Sequence, residues 1–321
     1  MRGRSHTETG LTHRGLLTSS GKSTVFPTAT YAEEVQMSAQ GTAGVPAKQH
    51  QGWLRRFFAR EDALYDHYAA VGQAKSARAK AFYLLMHLLP GILGWALINV
   101  NSIYQAQLRL TGLPGRSLQY TWLIVFAFGW HLVTPVLLLR FKDKLTWKQT
   151  LEFLGLNRVD VRGLFVVLPV YCALFALAAL PYMQWIWHPL EKWLQSVPAF
   201  HMPDYTIFKG GPEGLYTFPP LALLFLFIGN FLGEELYFRG YLMKKIAFLG
   251  NAAWIVNSIL FAIYHFWQIP QTWPLVGLVL TIGLLMQLRK DLYIMVAFHF
   301  FINMWLTYGE YPFARLMHFA K

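Results

Sequence analysis

From residue 81 onward the chain alternates long apolar runs with short basic ones. Seven runs approach the ~20 residues that a helix needs to cross a bilayer. They cover 81–100, 119–139, 163–182, 218–249, 252–268, 273–288 and 292–308. The last three are the shortest and have the least defined ends. The expected fold is all-α: a polytopic membrane helical bundle of seven transmembrane helices, or eight.

Composition agrees. Hydrophobic residues make up 55% of the 321, charged residues 14% and aromatics 17%. Soluble domains carry about 25% charged residues, so a soluble enzyme with a single anchor is excluded. The net charge of +12 is placed in loops rather than in a base-reading domain, and no nucleic-acid partner is expected. Lys and Arg divide sixteen to six between alternate loops. The richer side holds 51–80, 140–162, Lys244, Lys245, Arg289 and Lys290. The positive-inside rule then puts the N-terminus in the cytoplasm and the C-terminus outside. The expected location is the plasma (inner) membrane.

Flanking segments are read more simply. Residues 1–50 are rich in Ser, Thr, Gly and Ala without periodicity, and are expected to be a disordered tail. No apolar signal-peptide core follows the first basic residues, and Met37 is an alternative start. Residues 51–80 form a basic, partly amphipathic segment expected on the membrane surface. The stretch 183–217 is expected to be a loop. Its aromatics, Trp185, Trp187, Trp193, Phe200, Tyr205 and Phe208, suit an interfacial belt or a lid over an outer cavity. The single cysteine, Cys172, reads as an apolar filler.

Against this background GEELYFRG, residues 233–240, stands out at the end of FPPLALLFLFIGNFL. A charge at the centre of a membrane helix costs roughly 2.5–3.5 kcal/mol on the lenient scales, so the charges need a purpose. Glu235 and Arg239 are four apart, as are Phe261 and His265 in FAIYH, and His299 and Asn303 in HFFIN. Each pair shares one helix face, whereas Glu234 is turned about 100° from Glu235. The fourth and fifth runs form a hairpin with its tip near Gly250–Asn251. A rise of about 1.5 Å per residue puts Glu234 and His265 roughly 22–24 Å from that tip, level with each other. His299 and Asn303 lie about 13 and 20 Å beyond the next tip, near Lys290. Three helices can thus converge on one intramembrane polar site, open most easily toward the cytoplasm. His87 and His131 read as packing residues.

Two histidines, two carboxylates and an amide can activate a water, stabilise an oxyanion or bind zinc. Spacing does not separate these, although no HExxH helix is present. A proton or ion carrier is a further class that such buried charges allow.

EELYFR, FAIYH and HFFIN resemble, in order, the EExxxR, FxxxH and HxxxN/D motifs of the CPBP family. These are the CAAX protease and bacteriocin-processing (Abi) intramembrane endopeptidases, related to the type II CAAX prenyl protease. The resemblance covers about 218–308, inside a catalytic core expected at 216–310. It is preceded by membrane helices and the aromatic loop at 81–215 and followed by a short tail at 311–321. It implies an endopeptidase acting on a membrane-associated peptide or protein within the lipid bilayer, CAAX-type or bacteriocin-like. The implied catalytic residues are Glu234, His265, His299 and Asn303. Glu234 and His265 would activate the water; His299 and Asn303 would stabilise the oxyanion. Glu235 and Arg239 would hold the site together, with Phe261 packed beside it. The prenyl-protease branch implies no metal cofactor; the alternative is Zn2+ on Glu234, His265 and His299. A non-catalytic immunity or scaffold protein of the same fold is the other reading.

Overall fold

A computed structural model describes residues 52–201, 203, 219–268 and 272–306. The expected N-terminal tail, the 204–218 stretch and the C-terminal tail lie outside the described residues. Every regular element among the described residues is a helix. In chain order they are α1 (Trp53–Phe58), α2 (Ala63–Gly72), α3 (Ala77–Asn99), α4 (Asn101–Thr111), α5 (Gly115–Lys142), α6 (Trp147–Leu154), α7 (Gly163–Ser196), α8 (Pro220–Lys245), α9 (Ala247–Trp267), α10 (Thr272–Arg289) and α11 (Leu292–Met304).

The starts follow from capping chemistry. The Asp62 and Ser76 side chains accept the Tyr65 and Ala79 amides at 2.8 and 3.2 Å. Thr146 and Gln149 form a reciprocal box at the head of α6, and Gly155, in the left-handed region at φ 80°, ends that helix. Each device satisfies amides or carbonyls that a helix end leaves orphaned.

Five helices (α3, α5, α7, α8 and α9) are long and apolar enough to span a membrane. The sixth and seventh expected spans are helices too, but shorter: Trp273–Arg289 and Leu292–Met304 fall below that length. Two expected loops are instead helical. Residues 101–111 form α4, with Tyr104 buried and accepting a hydrogen bond from Gln119 at 3.0 Å. Residues 183–196 continue α7 without a break. Their pattern is amphipathic: Met183, Trp187 and Leu194 are buried, whereas Trp185 and Trp193 are 72% and 57% exposed. Pro181 and Pro189 do not end the helix, because wide π-type turns at Met183–Trp187 lie between them and such turns absorb a missing amide. The basic segment is not uniformly superficial either, since Tyr65 and Tyr68 of α2 are buried.

A charged lattice ties that segment to the turn between α10 and α11. Arg60 reaches Asp62, Asp160 and Asp291 at 3.2, 3.7 and 3.5 Å. Arg158 pairs with Asp62 at 2.7 Å, Lys290 with Asp66 at 2.6 Å, and Arg289 with Asp160. Asp291 caps α11 by accepting the Ile294 amide at 3.1 Å, and it accepts the Asp160 amide at 2.7 Å. Burial holds the Asp291 carboxyl above its ordinary range, although these amides and Arg60 pull the other way. The lattice sets the register of α11, and so the position of His299 about two turns later.

α8 lies directly on α5. A Cβ on Gly229 would come 2.5 Å from the Ala127 carbonyl carbon, and one on Gly233 would come 2.5 Å from the Ala127 oxygen. Only a small-xxx-small face permits that approach.

Candidate active site

Glu234 and Glu235 sit where α8 passes between two stretches of π-type turns, Gly229–Gly233 and Leu236–Leu242. Such turns interrupt regular α-helix frequently at functional positions. Both carboxylates are buried, as are Arg239, His265 and His299.

Glu235 is held from two sides through one atom. Its Oε1 accepts from an Arg239 guanidinium nitrogen at 3.1 Å and from His299 Nδ1 at 2.9 Å. The guanidinium also lies over the Phe261 ring, 4.1 Å from its centroid, a desolvated cation–π contact. Glu234 has different partners, as its rotation about the helix requires. Its Oε1 accepts from the Tyr264 hydroxyl at 3.4 Å, and its Oε2 stands 4.0 Å from His299 Nε2. His299 therefore spans both carboxylates, a link that the i, i+4 spacing did not disclose.

His265 lies at the end of the regular part of α9, after Ala253–Tyr264. Its Nδ1 is 2.8 Å from the Phe261 carbonyl oxygen. A carbonyl only accepts, so Nδ1 carries a proton, and in the neutral ring Nε2 is the basic nitrogen. This is the tautomer of a general base. The His265 ring packs against Phe261 and Tyr264, with centroids 4.7 and 4.6 Å apart. Phe261 also faces the His299 ring at 6.3 Å. Phe261 thus fills the space between the two histidines while its backbone sets the tautomer of one. Asn303, one turn beyond His299, donates to the His299 carbonyl at 3.1 Å. Its amide has a second N–H.

The three expected sequence motifs are therefore gathered at one place on α8, α9 and α11. Sequence reasoning missed Tyr264, the residue before His265, whose hydroxyl meets Glu234. A buried tyrosine usually finds a partner for its hydroxyl, and that was its only signal. His87, read as packing, is a satisfied core histidine: Nδ1 bonds the Tyr83 carbonyl at 2.7 Å, and Nε2 lies 3.1 Å from the Asn257 amide nitrogen. Asn257 also donates to the Phe238 carbonyl at 2.9 Å, locking α3 to the α8–α9 hairpin. His131 is equally buried but has no such pairing.

Among the described residues no three His, Cys, Asp or Glu side chains are grouped as a metal ion would need. In the alternative set of Glu234, His265 and His299, both imidazoles engage Nδ1, with the Phe261 carbonyl and with Glu235; a metal held there would be ligated through Nε2 of each ring.

Residues 216–305 match the family described as Type II CAAX prenyl endopeptidase Rce1-like. This segment is similar to that Rce1-like family. The match encloses all seven expected site residues, from Glu234 to Asn303. It supports a peptidase of the CAAX kind, embedded in the membrane through its apolar helices. No curated protein and no solved structure matches the chain. The Rce1-like segment begins as α8 begins, so α1 to α7 stand outside the match.

Proposed function

We propose that this chain is an intramembrane endopeptidase that hydrolyses a peptide bond of a membrane-associated substrate, using water activated by Glu234 and His265. The observation that carries the reading is the convergence of the two carboxylates, His299 and Tyr264 from three helices, with His265 packed on Tyr264, inside the Rce1-like segment.

His265 Nε2 and the Glu234 carboxylate are the two bases available to a water between α8 and α9. One takes a proton as the oxygen attacks the scissile carbonyl. The protonated group then returns it to the leaving amine, so acid and base are exchanged within one cycle. His299 can donate to the oxyanion only from Nε2, because Nδ1 is spent on Glu235. Asn303, one turn beyond His299, is the second donor assigned to the oxyanion. Glu235 and Arg239 position His299 and do no chemistry. No metal takes part in this reading.

The substrate class follows the family resemblance: a CAAX-type, C-terminally lipidated peptide. The test is cleavage of a fluorogenic farnesylated CAAX peptide by the purified chain in liposomes. Wild type should cleave it, and Glu234→Gln and His265→Ala should each lose at least about 100-fold in kcat, the scale of a general acid–base group. Equal phenotypes in wild type and both variants would mark a non-catalytic scaffold. Proton flux into the liposomes that vanishes with Glu234→Gln would mark a carrier. Metal analysis of the active protein tests the metal-free reading.

A further inference from the structure

The nine residues VFAFGWHLV of α5 contain one ionisable side chain, His131. It is 0% exposed, and neither ring nitrogen has a hydrogen-bond partner among the described residues. Phenylalanine or leucine would fill the same space without leaving a donor and an acceptor unpaired. An imidazole is therefore costly where it stands, and packing does not account for it.

Its neighbours give it a use. The His131 ring lies 5.4 Å from the Tyr264 ring, at 74°, and 5.1 Å from the Tyr237 ring. Tyr264 bonds Glu234 and precedes His265 in the chain. On the other side, a Cβ on Gly233, the residue before Glu234, would come 3.3 Å from the His131 Cβ. His131 thus touches the immediate chain neighbours of both residues that the reading above makes the bases. The Tyr237 hydroxyl is occupied, donating to the Met86 carbonyl at 2.6 Å. Glu234 Oε2, like the His131 nitrogens, has no hydrogen-bond partner among the described residues.

We propose that His131 is a positioning residue of the active site, contributed from outside the Rce1-like segment. It seats the Tyr264 ring so that the hydroxyl meets Glu234, and its ring nitrogens offer a donor and an acceptor to the water that enters the acidic pair. The inference rests on the peptidase reading. It also assigns α5 a function: the helix is part of the catalytic unit as well as its support.

The experiment compares wild type, His131→Phe, His131→Gln and Glu234→Gln in the farnesylated-peptide assay, with thermal unfolding of each. His131→Phe keeps the aromatic packing and removes both nitrogens. It should unfold at or above the wild-type temperature, lose at least tenfold in kcat, and keep KM within twofold. His131→Gln, which restores a donor and an acceptor, should recover at least threefold over His131→Phe. The inference is overturned if His131→Phe keeps kcat within twofold. It is also overturned if kcat falls only together with the unfolding temperature while His131→Gln does no better. In either case the peptidase reading stands as long as wild type outpaces Glu234→Gln. If wild type and Glu234→Gln are equally inactive, that reading fails and His131 goes with it.

Discussion

His299 Nδ1 lies 2.9 Å from Glu235 Oε1, the same atom that accepts from Arg239 at 3.1 Å. One carboxylate oxygen therefore joins an α8 cation to an α11 imidazole. Glu234, one residue earlier, makes only longer contacts, at 3.4 and 4.0 Å. Adjacent glutamates thus differ: one is held tightly, and the other is the carboxylate that the proposed mechanism uses.

The first prediction is that stability and activity separate between these two. Glu235→Gln removes the charge that Arg239 and His299 share, and breaking a buried pair costs about 3–5 kcal/mol. Glu234→Gln breaks no close contact and should unfold within about 1 kcal/mol of wild type, the net worth of an ordinary hydrogen bond. Thermal unfolding in detergent, set beside peptide cleavage, checks this. The division is wrong if Glu234→Gln is the less stable of the two.

Asn303 tests the oxyanion assignment. Loss of one oxyanion donor costs about 100- to 1000-fold in kcat. Asn303→Ala should show a loss of that order with little change in KM, because the carbonyl it bonds belongs to its own helix. A change in KM alone would move Asn303 from the reacting centre to substrate binding.

The α5–α8 contact should be intolerant of side chains. Gly229→Val and Gly233→Val each place carbon against the Ala127 backbone, where a flexible neighbour is not available to yield. Overpacking costs about 1–3 kcal/mol and would also displace Glu234. Both variants should insert but unfold at lower temperature, and Gly233→Val should be the less active. Full activity in Gly233→Val would mean that the helices can part without consequence.

Asp291 supplies a pH prediction. Burial raises its folded carboxyl pKa above the ordinary 3.8, so the folded state keeps a proton that the unfolded chain releases. Stability attributable to this group is present below pH 3.8 and is lost as pH rises through the folded value. Asp291→Asn keeps a capping oxygen and should flatten that slope. Asp291→Ala loses the cap on α11 at a cost of about 1 kcal/mol. Unfolding temperatures across the acid range distinguish the two, and an unchanged slope in Asp291→Asn would refute the assignment.

The five long apolar helices and the three polar pairs were legible because each depends on local order. Membrane length needs only a count of apolar residues, and a four-residue spacing puts Glu235 with Arg239, or His299 with Asn303, on one face of any helix. The helical continuation at 183–196 was not legible, because the buried face of Met183, Trp187 and Leu194 exists only against other helices. Tyr264 gave no spacing signal, since its partner Glu234 lies thirty residues away on another helix.

By itself, then, the amino-acid order determined an all-helical membrane chain and which side chains could reach a shared depth. Tertiary structure alone decided who pairs with whom: His299 with Glu235, Tyr264 with Glu234, and His131 against Gly233 and Tyr264. The physical reason is that spacing within a helix is set by covalent geometry. Contact between helices is set by packing, here by Gly229 and Gly233 letting α8 close on α5 and by Asp291 setting the register of α11.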